Sequence, residues 1–148
     1  WSLQPFLQDE DANVYPDAAR RESQRVVAEG TARAYEMAQR FNIKTAWGTD
    51  VLFNPEKTVT QGRQLAKLTR FYAAHDVLNM ATQHNAALLG LSGARNPYPG
   101  TLGRLEAGAL ADLLVVDGDP THSLAFLEDP EKNLGLIMKG GKVFKKTF

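Results

Sequence analysis

No cysteine occurs anywhere in the chain. Disulfides and thiolate metal sites are thereby excluded, although the absence fixes no compartment. Net charge is lacking too: 17 basic side chains balance 17 acidic ones. No broad field therefore draws the chain to nucleic acid or to an anionic membrane. No apolar run approaches the length of a membrane span. A charged-then-apolar leader is also absent from the sequence. The compartment is left open by the sequence, with a cytoplasmic setting slightly favoured over periplasmic or secreted ones. Several motifs are missing as well. There is no phosphate-cradling Gly-rich loop with Lys, no nucleophile elbow around a Ser, and no interleaving of aromatic and basic residues.

What is present suffices for a folded domain: 148 residues, 43% of them hydrophobic. The first residue is Trp1, and Trp1 to Phe6 reads as a strand or strand end. The chain is accordingly expected to begin inside a longer protein. A polar, acidic stretch follows, with Asp9, Glu10 and Asp11 in a predicted loop. They are solvated by default and are secondary candidates for lining a pocket. Asp17 suits a helix N-cap, because its carboxylate can accept from the free amides of a first turn.

Residues 18–41 are predicted as one helix, rich in Ala, Arg, Glu and Gln. Val26, Val27, Gly30, Ala34, Met37, Ala38 and Phe41 fall on one face, with Gly30 and Ala34 small enough for close packing. Asn42 suits a stop, since Asn tolerates the left-handed conformation. Ile43 to Gly48 is then predicted as a β-branched and aromatic strand. A loop from Val51 to about Thr60 precedes a second helix, 61–74, with Leu65, Leu68 and Tyr72 on one face. A third helix, 77–89, is expected to be capped by Asp76 and stopped by Gly90. Its stripe is Leu78, Ala81, Asn85 and Leu88.

Strands alternating with helices imply parallel strands and crossover connections. After Gly90, "SGARNPYPG" has the composition of a domain connection. Beyond it come a strand at Asp112 to Val116, a possible turn of helix near Ser123 to Leu127, and two strands flanking Gly140-Gly141. Gly-Gly there signals a two-residue hairpin. The expected division is 1–95 and 96–148. Each part on its own would leave open edges or apolar surface, so an N-terminal part of the same protein is the expected cover.

One carboxylate stands out. Asp50 follows the predicted strand at Gly48-Thr49-Asp50, the position where barrel enzymes place their chemistry. From this tripeptide alone, a turn cap or an ion pair is the commoner use of such a residue. The three histidines, His75, His84 and His122, do not have ligand-pair spacing and read as surface or packing residues. Asp117 and Asp119 flank Gly118 in a turn and read as structural. Lys139, Lys142, Lys145 and Lys146 read as edge protection and solubility around the hairpin.

An ordered set of motifs follows Asp50. Ala81-Thr82 and Asn85-Ala86-Ala87-Leu88-Leu89-Gly90 come first. Leu102-Gly103-Arg104-Leu105 with Gly108 is next, then Ala111 to Pro120 ("ADLLVVDGDP"). Ile137-Met138-Lys139-Gly140-Gly141-Lys142-Val143 closes the series. Over roughly residues 43 to 143 this order resembles the C-terminal part of the metal-dependent amidohydrolase superfamily. The branch it looks most like holds Xaa-Pro dipeptidase (prolidase)-like and imidazolonepropionase-like enzymes.

The resemblance implies an α/β fold: the last units of a (β/α)8 TIM-type barrel over 1–95 and part of a small β-sandwich over 96–148. It implies one or two divalent metal ions, zinc favoured, in the complete enzyme. Asp50 would be both a metal ligand and the catalytic proton carrier, and Val51, Leu52, Phe53 and Asn54 would border the substrate. The reaction implied is cleavage of an amide or peptide-like C–N bond by metal-activated water. A dipeptidase-like substrate is favoured over a cyclic amide, and an oligomer is compatible. The His-x-His pair and other ligands usual in the family are not on this chain, so the 148 residues alone are not expected to be active. The alternative is a non-catalytic scaffold or interaction module that kept the fold.

Overall fold

The computed structural model describes residues 17–49, 51 and 55–148. The predicted strand at 1–6, the acidic residues Asp9, Glu10 and Asp11, and Asp50, Leu52, Phe53 and Asn54 lie outside them.

Helix α1 spans Ala18–Arg40. Its ends follow from sequence chemistry. The Asp17 carboxylate accepts from the Arg20 amide at 2.7 Å and caps the first turn. At the other end Asn42 has φ +50°. The amides of Asn42 and Ile43 bond back to the carbonyls of Gln39 and Ala38 at 3.1 and 2.7 Å. This pair of bonds is a Schellman stop, with Asn in the position that usually takes Gly.

The face that α1 packs coincides with the expected one only at Ala38. Thr31 and Ala38 are buried and Tyr35 is half-buried, whereas Val26, Met37 and Phe41 are 55%, 56% and 61% exposed. Tyr35 decides the orientation. Its ring lies 4.9 Å from that of Phe71 and meets Tyr72 edge-on at 5.5 Å. The neighbouring Gln39 amide donates to the Phe71 carbonyl. Aromatic contact of this kind outweighs a shallow apolar stripe with no partner among the described residues.

Ile43 to Thr49 joins no ladder with another strand among the described residues. It keeps the exposure pattern of a strand: Thr45, Trp47 and Thr49 are half-buried, and Lys44, Ala46 and Gly48 are exposed. The sequence supplies the period of a strand, but a ladder requires a second chain segment alongside.

A tight turn at Pro55–Thr60 leads into α2, Gln61–Lys67, which winds more tightly over Leu68–Arg70. Helix α3, Ala74–Asn79, continues through one wide π turn at Met80–His84 into α4, Asn85–Gly90. The rod therefore begins ahead of Asp76, which sits in its first turn rather than capping it, and it includes His75. Gly93–Arg95, inside the predicted connection, forms a further short turn.

The core gathers Leu65, Ala66 and Leu68 from this first pair of turns, Ala74 and Val77 from α3, and Leu124 and Leu127. Val77, Leu124 and Leu68 are 0%, 1% and 2% exposed. Tyr72, Trp47 and Phe126 pack around them. The expected face of Leu65, Leu68 and Tyr72 is thus the one used. Gly62 is required where α2 meets the turn at Ala125–Glu128, because a Cβ there would stand 2.6 Å from the Leu127 carbonyl oxygen.

Strand β1 is Leu113–Val116. After the short α5, Pro130–Asn133, come β2, Leu134–Lys139, and β3, Lys142–Lys146. They form an antiparallel sheet in the order β1-β2-β3. Leu113 pairs with Met138 and Lys139 with Lys142. Gly140 and Gly141 have φ +56° and +79°, which is why the hairpin turn needs them. The content is mixed helix and strand, as expected, but neither a barrel nor a β-sandwich is contained in the described residues. The strands present are antiparallel: a two-residue hairpin joins β2 to β3, and the longer segment with the turn at Ala125–Glu128 and α5 returns the chain from β1 to β2.

Candidate functional site

Of the expected site residues, Asp50, Leu52, Phe53 and Asn54 lie outside the described residues. Val51 lies within them and is half-buried. What the structure does define is the approach to Asp50. The segment Thr45–Trp47 is held from the side by the helical rod. The Asn85 side-chain oxygen accepts from the Trp47 amide at 2.9 Å. His84 Nδ1 lies 2.7 Å from the Thr45 carbonyl. A carbonyl can only accept, so Nδ1 carries the hydrogen.

The π turn makes this double contact possible. His84 is its last residue and Asn85 follows directly. The Asn85 amide nitrogen points back to the Ala81 carbonyl at 3.4 Å, which sets the way the side-chain oxygen faces. On the other side of the turn the chain at Gly103 presses in. Gly103 has φ +70°, and a Cβ on it would stand 2.6 Å from the Thr82 carbonyl oxygen. The Leu102-Gly103-Arg104 motif thus seats against the Ala81-Thr82 motif.

A concave region of about 700 Å³ lies between α3 and the 121–125 loop. It is lined by Thr69, Tyr72, His75, Thr121, His122 and Glu128, among others. Its histidines are turned to local carboxylates: His75 to Asp76 at 3.0 Å and His122 to Asp119 at 2.8 Å. Asp119 organises the loop, as its turn position suggested. One of its oxygens accepts from the amide and the hydroxyl of Thr121 at 2.8 and 2.6 Å. The Thr121 bonds and the His122 contact hold its carboxyl well below the usual range, at about 2. Burial raises the Tyr35 phenol to about 12 and also raises that of Tyr72, against the opposing effect of the Thr45 side chain beside it.

Among the described residues, no three His, Asp or Glu side chains gather as a metal would require. None of the described helices is long and apolar enough to cross a membrane.

The roles of three residues escaped the sequence reading. Asn85 had a signal, a polar side chain in the stripe Leu78, Ala81, Leu88; His84 had none. Asp112 accepts from the Gly140 amide at 2.6 Å and so ties the start of β1 to the hairpin turn.

The chain belongs to the amidohydrolase family, whose profile matches residues 7–143. It is similar to a crystal structure described as that of an amidohydrolase, with a TM-score of 0.77 and 27% identity. That match covers 99% of this chain and 34% of the other. A second crystal structure, described as that of an uncharacterized protein, shares the fold with a TM-score of 0.76, 20% identity and the same coverage. The chain therefore spans about a third of the length of the solved structures it matches. No curated protein matches it.

Proposed function

We propose that the chain is part of a hydrolase that cleaves an amide or peptide-like C–N bond with water, and that its substrate is a dipeptide. The observation that carries this reading is the family match over residues 7–143, which takes in Gly48-Thr49-Asp50. Asp50 is assigned the proton transfer: its carboxylate takes a proton from the attacking water and delivers it to the leaving amine. The loop from Val51 to Asn54 borders the substrate.

The whole protein in this reading is a (β/α)8 barrel with a small β-sandwich, of which this chain supplies the C-terminal part. The coverage of about a third supports that. So do the exposed apolar side chains of the sheet, Leu114, Val143 and Phe144 among them. The described residues do not by themselves form a metal site. A divalent ion, zinc favoured, would be held by Asp50 together with ligands from the rest of the protein. When bound it would polarise the scissile carbonyl and lower the pKa of water.

The test is Asp50→Asn in the complete protein, read by hydrolysis of Xaa-Pro dipeptides and by circular dichroism. Hydrolysis should fall by well over tenfold with the fold intact. Activity within about tenfold of the parent, roughly 1.4 kcal/mol of barrier, would remove Asp50 from the mechanism, whereas a complete protein that hydrolyses no such dipeptide would favour a non-catalytic scaffold.

A further inference from the structure

We infer that His84 and Asn85 are positioning residues: a two-point clamp, built by the π turn, that fixes the backbone of Thr45–Trp47, the chain that leads in sequence to the proposed catalytic Asp50. The part concerning Asp50 rests on the function proposed above. The clamp itself rests on the two contacts alone.

In an extended chain the carbonyl of one residue and the amide two residues on lie along the same edge. These are the two groups that one residue of a parallel neighbour would bond. His84 Nδ1–H takes the Thr45 carbonyl at 2.7 Å, and the Asn85 oxygen takes the Trp47 amide at 2.9 Å. A helix thus supplies, by two side chains, the bonds of a strand partner. The clamp requires strand pairing on that edge to have ended before Thr45.

Geometry explains why a helix can do this here. Successive residues of an α-helix diverge around its axis, and π turns interrupt helices where function needs a different presentation. The wide turn at Met80–His84 is fixed from behind by Gly103 on Thr82 and from within by Asn85 on Ala81. The Asn85 side chain therefore arrives already oriented. Trp47 is three residues before Asp50.

The experiment compares the complete protein with its Asn85→Leu, Asn85→Asp and His84→Asn variants. Amide hydrogen exchange is followed across residues 45–49, and kcat and KM are measured on the dipeptide Ala-Pro. Asn85→Leu removes the acceptor, so exchange at the Trp47 amide should accelerate at least tenfold. Its kcat should fall about ten- to hundredfold, the usual effect of losing an orienting partner, with KM within threefold. Asn85→Asp keeps an acceptor and His84→Asn keeps a donor near Nδ1, so both should restore protection and most of kcat. Those two variants also keep the test open if Asn85→Leu does not fold.

Unchanged exchange at Trp47 in Asn85→Leu would overturn the clamp, as would Asn85→Asp failing to protect that amide. Accelerated exchange with unchanged kcat, in a protein that Asp50→Asn inactivates, would overturn the positioning role while leaving the proposed function standing. If the parent does not hydrolyse Ala-Pro, the dipeptide assignment fails, and the clamp is decided by the Trp47 exchange alone.

Discussion

Replacing Gly103 by Ala tests the packing that sets the π turn. The backbone at Gly103 has φ +70°, a conformation that costs an L-residue roughly 1–2 kcal/mol. The added Cβ would also stand 2.6 Å from the Thr82 carbonyl oxygen, 2.7 Å from its carbon and 3.0 Å from the Gln83 nitrogen. All three are backbone atoms of one helical turn, so no side-chain rotation relieves the contact. Overpacking of this kind costs about 1–3 kcal/mol. Together the two effects give a loss of roughly 2–5 kcal/mol, or a fall in Tm on the order of 10 °C for a chain of this size. Gly108 is the internal control. It has φ +88° but open space around it, so Gly108→Ala should show the conformational cost alone, about 1–2 kcal/mol. Denaturant unfolding followed by circular dichroism measures both. Equal losses in the two variants would mean that the Gly103 loop does not seat on the turn, and the account of how His84 and Asn85 are aimed would fall with it.

Leu68→Ala, at a side chain 2% exposed, should cost about 2–5 kcal/mol in the same unfolding assay; a loss below about 1 kcal/mol would contradict the packing of the α2 region. Gly30→Ala should instead stabilise, by roughly 0.5–1 kcal/mol, because Gly30 sits within α1 with nothing within 4 Å of an added Cβ. A destabilised variant would show that this face of α1 is packed closely. The Asp119 carboxyl is lowered from 3.8 to about 2 by the Thr121 bonds and His122. A depressed carboxyl contributes above its unfolded pKa and loses that contribution as pH falls through the folded one. The 119–122 loop should therefore hold its bonds above pH 4 and release them as pH drops toward 2. The Thr121 amide shift in NMR reports this, and a midpoint near 4 would refute it.

The sequence made local structure legible where one residue decides the backbone. Asp17 caps α1 and Asn42 ends it with a positive φ. Gly140 and Gly141 turn the β2–β3 hairpin. Each is a matter of a side chain bonding the nearest free amide, or of a left-handed conformation that few residues accept. The face of α2 was legible because Leu65, Leu68 and Tyr72 are strongly apolar and correctly spaced. The candidate site was less so. Asp50 could be singled out by its place after an apolar run and by the motifs that follow it, yet nothing local says which residues would hold that run.

Tertiary contact decided the rest. Helix α1 turned Thr31, Tyr35 and Ala38 inward because Phe71 and Tyr72 offer Tyr35 a ring surface, while Val26, Met37 and Phe41 found none among the described residues. The π turn is invisible to a 3.6-residue period and depends on Gly103 and Asn85 meeting it from either side. The feature with the most bearing on function, His84 and Asn85 bonded to Thr45 and Trp47, joins residues 39 and 38 positions apart. By itself the sequence determined where α1 begins and ends and where the β2–β3 hairpin turns, since those choices are made within a few residues. Which face packs, and which side chains hold the approach to Asp50, depended on groups that only folding brings within hydrogen-bonding distance.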